Sequence, residues 1–401
     1  MRNDGHPDLE QPVEPEHDSS EFAPGSDSVP TPVDPSYDER LATFERDIED
    51  LKAEWEPFLA DHVPEAPQTR SVRELEEFDF RSERASDRQD FDLVLEGEGD
   101  WERVALPDYR GPVGDWTGFY RTEFDYDTPA ADRVYLRFEA VDYVATVYLN
   151  GRCVATHEGF FAPFEVDVTD HLRETGNRLL VEVENKVPID PGGPDAPDYD
   201  GEKLFADAGL GWDDPEIGWH QHTAGAGIRG AVTLEERPSV HVADAFVRTC
   251  SDGAVEARIE VRNATDEPID TDIDLTVYPR NFDGDPVDCG VHSTATADPG
   301  GNEYRIRLNA DPLRGWSPDK PWMYALRIDL PGDGRPVDTY DVDFGVRRLE
   351  METDGTPKGR LSLDGEPLAL RGANCPQHLA KAAFDGEEDQ IVEDLLIAKY
   401  A

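Results

Sequence analysis

The segment Arg133-Val134-Tyr135-Leu136-Arg137-Phe138-Glu139 alternates polar and apolar residues, and Val144-Ala145-Thr146-Val147-Tyr148-Leu149 repeats the pattern less cleanly. A period of two places successive side chains on opposite faces of an extended strand. Asn150-Gly151 follows at once. That pair predicts a hairpin turn, because both central positions of a type I′ turn need φ > 0. Phe164-Glu165-Val166-Asp167-Val168 and Leu179-Leu180-Val181-Glu182-Val183 continue the series. Many short strands punctuated by turns, over about residues 90–236, imply a β-sandwich.

A second all-β stretch covers residues 238–348, the size of an immunoglobulin-like sandwich, with candidate strands at 255–262, 272–278, 304–308 and 324–330. Other periods flank the two. Residues 1–36 are Pro, Asp, Glu and Ser with almost no apolar content and read as a disordered acidic tail. Residues 37–69 read as a helix and linker, since Leu41, Phe44, Ile48, Leu51 and Trp55 recur at spacings of three and four. Between 187 and 230 the pattern lapses into Gly, Pro, Asp and Trp, and a loop of that length is commonly functional. A third unit starts at 349: Arg360–Leu363, the turn Asp364-Gly365, the apolar Pro367–Leu370, then helical spacing with Ile391, Leu395 and Ala398 on one face. Strand, loop and helix in that order open a βα unit.

Charge narrows the function classes. Of 401 residues, 89 are Asp or Glu and 38 are Lys or Arg, a net charge of −51. A polyanion of this size excludes nucleic acid and an anionic membrane as partners. No apolar run approaches the roughly 20 residues that span a bilayer, and no signal peptide is visible, so a cytoplasmic location is expected. Only 7 of the basic residues are Lys against 31 Arg. Self-repulsion this strong is tolerable in molar salt, where the Debye length falls to about 3 Å, and a salt-adapted, haloarchaeal-like protein is expected. Cys153, Cys250, Cys289 and Cys375 form no C-x-x-C pair, so free buried thiols are expected rather than a zinc site or disulfide framework.

The motifs resemble glycoside hydrolase family 2, the β-galactosidase, β-glucuronidase and β-mannosidase group. The likeness runs through Trp116–Arg121, Leu136–Asp142, Val147–Gly151, Pro163–Thr169 and Gly227-Ile228-Arg229-Gly230 in a galactose-binding-like jelly roll over 70–237. It continues through Trp316-Ser317-Pro318 and Pro321-Trp322-Met323-Tyr324 in the sandwich over 238–348. Phe344–Arg347, Leu363–Pro367 and Arg371–Asn374 are similar to the entry into the family's catalytic barrel, here 349–401. The implied fold is mainly β: a jelly-roll sandwich, an immunoglobulin-like sandwich and the first βα segment of an incomplete (β/α)8 barrel. The implied activity is hydrolysis of terminal β-O-glycosidic bonds with retention. Such a barrel needs about 250 residues, and 41 run from Leu361 to Ala401. The two catalytic glutamates are therefore expected outside this chain, and no residue here is assigned a catalytic role.

The candidate sugar contacts lie in two loops. Trp219, His220, Gln221 and His222 gather aromatic and hydrogen-bonding groups in the long loop. The resemblance implies an acidic sugar contact seven positions before Ile228, where this chain carries Gln221, so the identity of the sugar stays open. Asn374 and His378 follow the first expected barrel strand, on the side where barrel active sites form. Trp212, Phe160 and Phe161 are alternatives as stacking surfaces or as core, and Asp213 and Asp214 are alternatives as calcium ligands or solvated charges. His220 and His222 have no evident third metal ligand, so neither metal nor cofactor is expected. Carbohydrate is the expected partner, with a separate barrel-containing chain or a homo-oligomer also open. The alternatives to the N-terminal part of a glycosidase are a non-catalytic carbohydrate-binding module and a truncated, inactive gene product.

Overall fold

A computed structural model describes residues 37–84, 99–108, 116–126, 132–159, 162–184, 227–309, 311–332, 336–353, 359–372 and 386–400. By contacts the chain divides into Met1–Glu49 and Asp50–Ala401. The described part of the first is the N-terminal portion of α1 (Tyr37–Trp55). Most of the anticipated stripe is present, with Phe44, Ile48, Leu51 and Trp55 half-buried, whereas Leu41 is exposed. The helix ends where Pro57 enters a short 3-10 turn, Glu56–Leu59; proline has no N–H to continue the α ladder.

The first sandwich pairs a four-stranded and a six-stranded antiparallel sheet. The smaller has the order β1 (Ser71–Glu74), β12 (Val232–Arg237), β5 (Arg133–Phe138), β9 (Phe164–Asp167). The larger runs β3 (Glu102–Ala105), β2 (Glu77–Arg84), β4 (Trp116–Phe124), β10 (Asn177–Glu184), β7 (Val144–Leu149), β8 (Arg152–Glu158). A two-residue pair, β6 (Val141–Asp142) with β11 (Gly227–Ile228), closes one end. Val134, Leu136 and Phe138 of β5 meet Val147, Leu149, Val181 and Val183 in one core. Each large side chain so buried contributes about 1.5–3 kcal/mol. The predicted turn is in place: Asn150 has φ 55° and Gly151 φ 83°. Asn150 also ties the turn down, donating to the His171 carbonyl (2.8 Å) and accepting from the Arg178 amide (3.0 Å).

The second sandwich packs β13 (Val240–Thr249), β14 (Val255–Asn263) and β17 (Gly300–Leu308) against β16 (Val287–Ala297), β15 (Ile269–Pro279), β18 (Tyr324–Pro331) and β19 (Pro336–Phe344). All four candidate strands are found. Val255, Ala257, Ile259 and Val261 alternate into its core and meet Ile273, Val277, Leu326 and Ile328.

Residues 61–70 are more than a linker. They run along the second sandwich before β1 enters the first. The His62 amide donates to the Arg280 carbonyl (2.9 Å), the Arg327 guanidinium to the Pro64 carbonyl (2.6 Å), and the Thr339 amide to Thr69 Oγ1 (3.0 Å). Arg70 then grips Asp338 with two hydrogen bonds, 2.8 and 2.7 Å, and the Val242 carbonyl with a third. Asp338 is fully buried and also accepts from the Val242 amide (2.8 Å).

The third unit is an antiparallel meander, β20 (Leu349–Glu352), β21 (Arg360–Leu363) and β22 (Glu366–Leu368). The apolar run at 367–370 thus begins as a hairpin partner of β21, and the turn between them has the expected positive φ at Asp364 (51°) and Gly365 (87°). Helix α2 (Glu388–Tyr400) follows. Its stripe differs from the expected one. Leu396 is the buried residue, whereas Leu395 is 54% exposed. Val392, one turn before Leu396, is half-buried, and Lys399, three residues after it, lies 4.2 Å from the Trp55 ring centroid. Burial in the helix therefore centres on Leu396 rather than on Leu395 and Ala398, while Ile391 of the expected stripe is half-buried. Cys153 also departs from the buried thiols expected: it is exposed, since β8 is an edge strand, while Cys250 is half-buried. Both are free.

Candidate functional site

Three of the segments outside the described residues leave the first sandwich at one end, and hydrogen bonds tie their roots together. Segment 109–115 leaves after Asp108, 160–161 after Gly159, and 185–226 runs from Glu184 to Gly227. The Asp108 amide donates to the Ile228 carbonyl (2.8 Å), and Gly227 pairs with Asp142. The Tyr143 amide donates to the Glu184 carbonyl (3.4 Å), and the Gly159 amide to the Tyr143 carbonyl (3.0 Å). The chain order scatters these residues, and the sheet topology gathers them.

A rigid frame underlies this end. Tyr120, fully buried, donates its hydroxyl to Asp108 (2.9 Å). Gly227 lies against both residues at φ 150°, where a Cβ would stand 2.3 Å from the Asp108 carbonyl oxygen and 2.5 Å from the Tyr120 hydroxyl. Only glycine fits, for space and for backbone reasons alike. Gly227→Ala is expected to cost about 2–5 kcal/mol, combining strain with overpacking. Urea unfolding checks it, and an unchanged midpoint contradicts the frame.

Asp108 and Asp142 are 3% and 0% exposed. Their burial makes them parts of the frame rather than groups that meet a ligand from solvent. The outer face of the six-stranded sheet carries a separate cluster: Phe119 and Leu180 are buried with Trp101 and Tyr148 against them, and the Arg121 guanidinium lies 4.0 Å over the Trp101 ring. Among the described residues no three His, Cys, Asp or Glu side chains come together to hold a metal ion.

Trp219, His220, Gln221 and His222 lie outside the described residues, as do Trp212, Asp213, Asp214, Phe160 and Phe161. Asn374 and His378 lie outside them too. What the structure supplies is the platform at the roots of segments 160–161 and 185–226. Gly227, Ile228 and Tyr120 lie in motifs that the sequence singled out; Asp108 carried no signal, and its pairing with Tyr120 has no periodicity to reveal it.

Two family models match consecutive parts of the chain: the glycosyl hydrolase 2 galactose-binding domain-like model over residues 113–196, and the glycosyl hydrolases family 2 model over 240–347. Both matched stretches are domains of glycoside hydrolase family 2. The first match falls on the first sandwich and the second on β13–β19. A β-galactosidase of Thermoanaerobacter pseudethanolicus is 28% identical over 300 residues, covering 70% of this chain and 35% of that enzyme. A β-galactosidase of Alteromonas mediterranea is 24% identical over 293 residues, covering 71% and 25%. Among solved structures, a Bacteroides uniformis β-glucuronidase superposes with a TM-score of 0.55 at 19% identity, over 76% of this chain and 35% of that one. A Bifidobacterium dentium β-glucuronidase gives 0.54 at 23%, over 77% and 53%. The fold of the two sandwiches is therefore that of the family, and the chain spans about a quarter to a third of the length of these two curated relatives. No helix among the described residues is long and apolar enough to cross a membrane.

Proposed function

We propose that this chain is the N-terminal part of a retaining β-glycosidase of the family, acting on terminal β-glycosides. The two carboxylates the reaction needs, about 5–5.5 Å apart, belong to a barrel outside these 401 residues. The observation that carries the reading is the pair of family matches in order, 113–196 and then 240–347, within β-galactosidases three to four times as long as the matched span.

The meander supports it. Leu349 pairs with Leu363, Met351 with Leu361, and Leu361 with Leu368, so all five share one face. Leu349 and Met351 are 59% and 61% exposed. An apolar sheet face open to water calls for a cover, and a catalytic barrel continuing from this unit provides one. In the complete enzyme, the loop holding Trp219, His220, Gln221 and His222 reaches the sugar from the first sandwich. Asn374 and His378 contact it from the barrel side.

The test is hydrolysis of aryl β-galactosides and aryl β-glucuronides in molar KCl, by the chain alone and together with the polypeptide encoded downstream of it. The expected result is no turnover alone and turnover with the second polypeptide. Turnover by the chain alone contradicts the reading. The charge of −51 adds a second expectation, that the protein works in a salt-rich cytoplasm. Lowering KCl from molar to about 0.1 M lengthens the Debye length from about 3 to about 10 Å. The melting temperature is expected to fall by roughly 10 °C or more, the equivalent of a few kcal/mol. A salt-independent melting temperature, followed by circular dichroism, contradicts salt adaptation.

A further inference from the structure

His241 is the second residue of β13, at the joint between the two sandwiches, and its side chain is fully buried. Its ring meets the edge of the Tyr135 ring, on β5 of the first sandwich, with centroids 5.3 Å apart at 69°. Nδ1 lies 2.8 Å from the Pro238 carbonyl oxygen. A carbonyl only accepts, so Nδ1 carries the proton and Nε2 the lone pair. Nε2 is buried and meets no hydrogen-bond partner, and the buried Tyr135 hydroxyl meets none either. Each sandwich thus brings one unsatisfied polar atom to the joint, an arrangement that costs stability.

The charges around the ring are already matched. Arg237, at the end of β12, lies 4.5 Å over the Tyr135 ring, binds both oxygens of Glu165 (2.9 and 2.6 Å) and holds Glu235 (2.6 Å). Arg70, from the 61–70 segment, holds both oxygens of Asp338 on β19 and lies 5.3 Å over the Tyr340 ring. Arg262 on β14 stands opposite His241 in the ladder. Asp167, at the end of β9, takes both hydrogen bonds of Thr169. Glu165 and Glu235 are therefore engaged by Arg237, and Asp338 by Arg70. A proton added at Nε2 creates a further buried cation, with no hydrogen-bond acceptor at Nε2 and with the nearby carboxylates already bound to guanidinium groups.

We propose that His241 is a proton-operated latch between the two sandwiches. Neutral, it lets the joint close; protonated at Nε2, it opens the joint while both sandwiches stay folded. Burial pushes the imidazole pKa down from 6.5 to about 4; the Pro238 carbonyl and the charge of Asp338 oppose that, and Arg237 and Arg70 reinforce it. The open joint takes up the proton near 6.5 and the closed joint only near 4. Closure is therefore complete above pH 6.5, and the closed-to-open ratio falls about tenfold per unit below it, about thirtyfold by pH 5. Glu165 does not confound this window. Burial raises its pKa, but the hydrogen bonds and charge of Arg237, with Arg137 behind them, bring it below the ordinary value, so it stays ionised.

Amide hydrogen exchange on the full chain in molar KCl, between pH 7.5 and 4.5 and corrected for intrinsic exchange, reads the latch. Peptides spanning 235–245 are expected to lose about twentyfold protection between pH 7 and 5, while Val181 and Val277 keep theirs. His241→Phe fills the same space without a titrating nitrogen and is expected to abolish the pH dependence. His241→Asn, whose amide replaces Nδ1 on Pro238, provides a second non-titrating variant. Loss of protection that persists in the variants overturns the proposal, as does simultaneous opening of both cores. Exchange of the His241 ring C2 proton in the unaltered chain is independent of any variant, and a pKa near 6.5 with the joint closed also overturns it.

Discussion

Replacing Asp338 with alanine is expected to lower the unfolding free energy by about 3–5 kcal/mol, the size of effect seen when one partner of a buried ion pair is removed. Asp338 is 0% exposed and its partner Arg70 is 16% exposed. The substitution strips the guanidinium of two acceptors and leaves the Val242 amide without the carboxylate it donates to. Arg70→Met is expected to cost a similar amount, because it leaves a carboxylate buried with only that amide. The double variant Arg70→Met, Asp338→Leu is expected to cost clearly less than the sum, since no charge then remains uncompensated. Urea midpoints for the three variants check this. Additive losses, or single losses under 1 kcal/mol, would mean that the 61–70 segment is not held by this pair.

Met351→Asp and Leu349→Asp are expected to leave the melting of both sandwiches unchanged and to abolish the activity that the downstream polypeptide restores, by a hundredfold or more. The physical reason is location. Leu349, Met351, Leu361, Leu363 and Leu368 share a face of a three-stranded meander, and Leu349 and Met351 project into solvent. A carboxylate there is hydrated and costs little in the chain alone. Buried against an apolar partner it costs several kcal/mol, and about 2.7 kcal/mol already corresponds to a hundredfold loss of binding. Calorimetry separates the two effects. If the variants restore activity like the unaltered chain, the barrel does not dock on this face.

The β architecture was legible because alternation, Asn150-Gly151 and Asp364-Gly365 are local signals that burial and turn geometry enforce directly. The strap over the second sandwich was not. Pro64 contributes only a carbonyl, Thr69 a hydroxyl and Arg70 a guanidinium, so nothing periodic marks residues 61–70 as pinned. Tyr135 shows the reverse. Its place between Val134 and Leu136 blurs the alternation, and the reason is a second buried face: the outward side of β5 is covered by Arg237 and His241. The α2 stripe misled because Leu395 and Leu396 are adjacent and only contact with the rest of the fold chooses between them. At the candidate site, motif spacing located Gly227, while the Asp108–Tyr120 frame emerges only when β4 and β11 are brought together.

Sequencing the locus across the codon for Ala401 and several hundred codons beyond tests the central claim most directly. The expected result is a reading frame, in phase or shifted, that encodes the rest of a barrel with two glutamates on its later strands. Unrelated sequence there would contradict the glycosidase assignment and leave sugar binding by the two sandwiches themselves as the activity to measure.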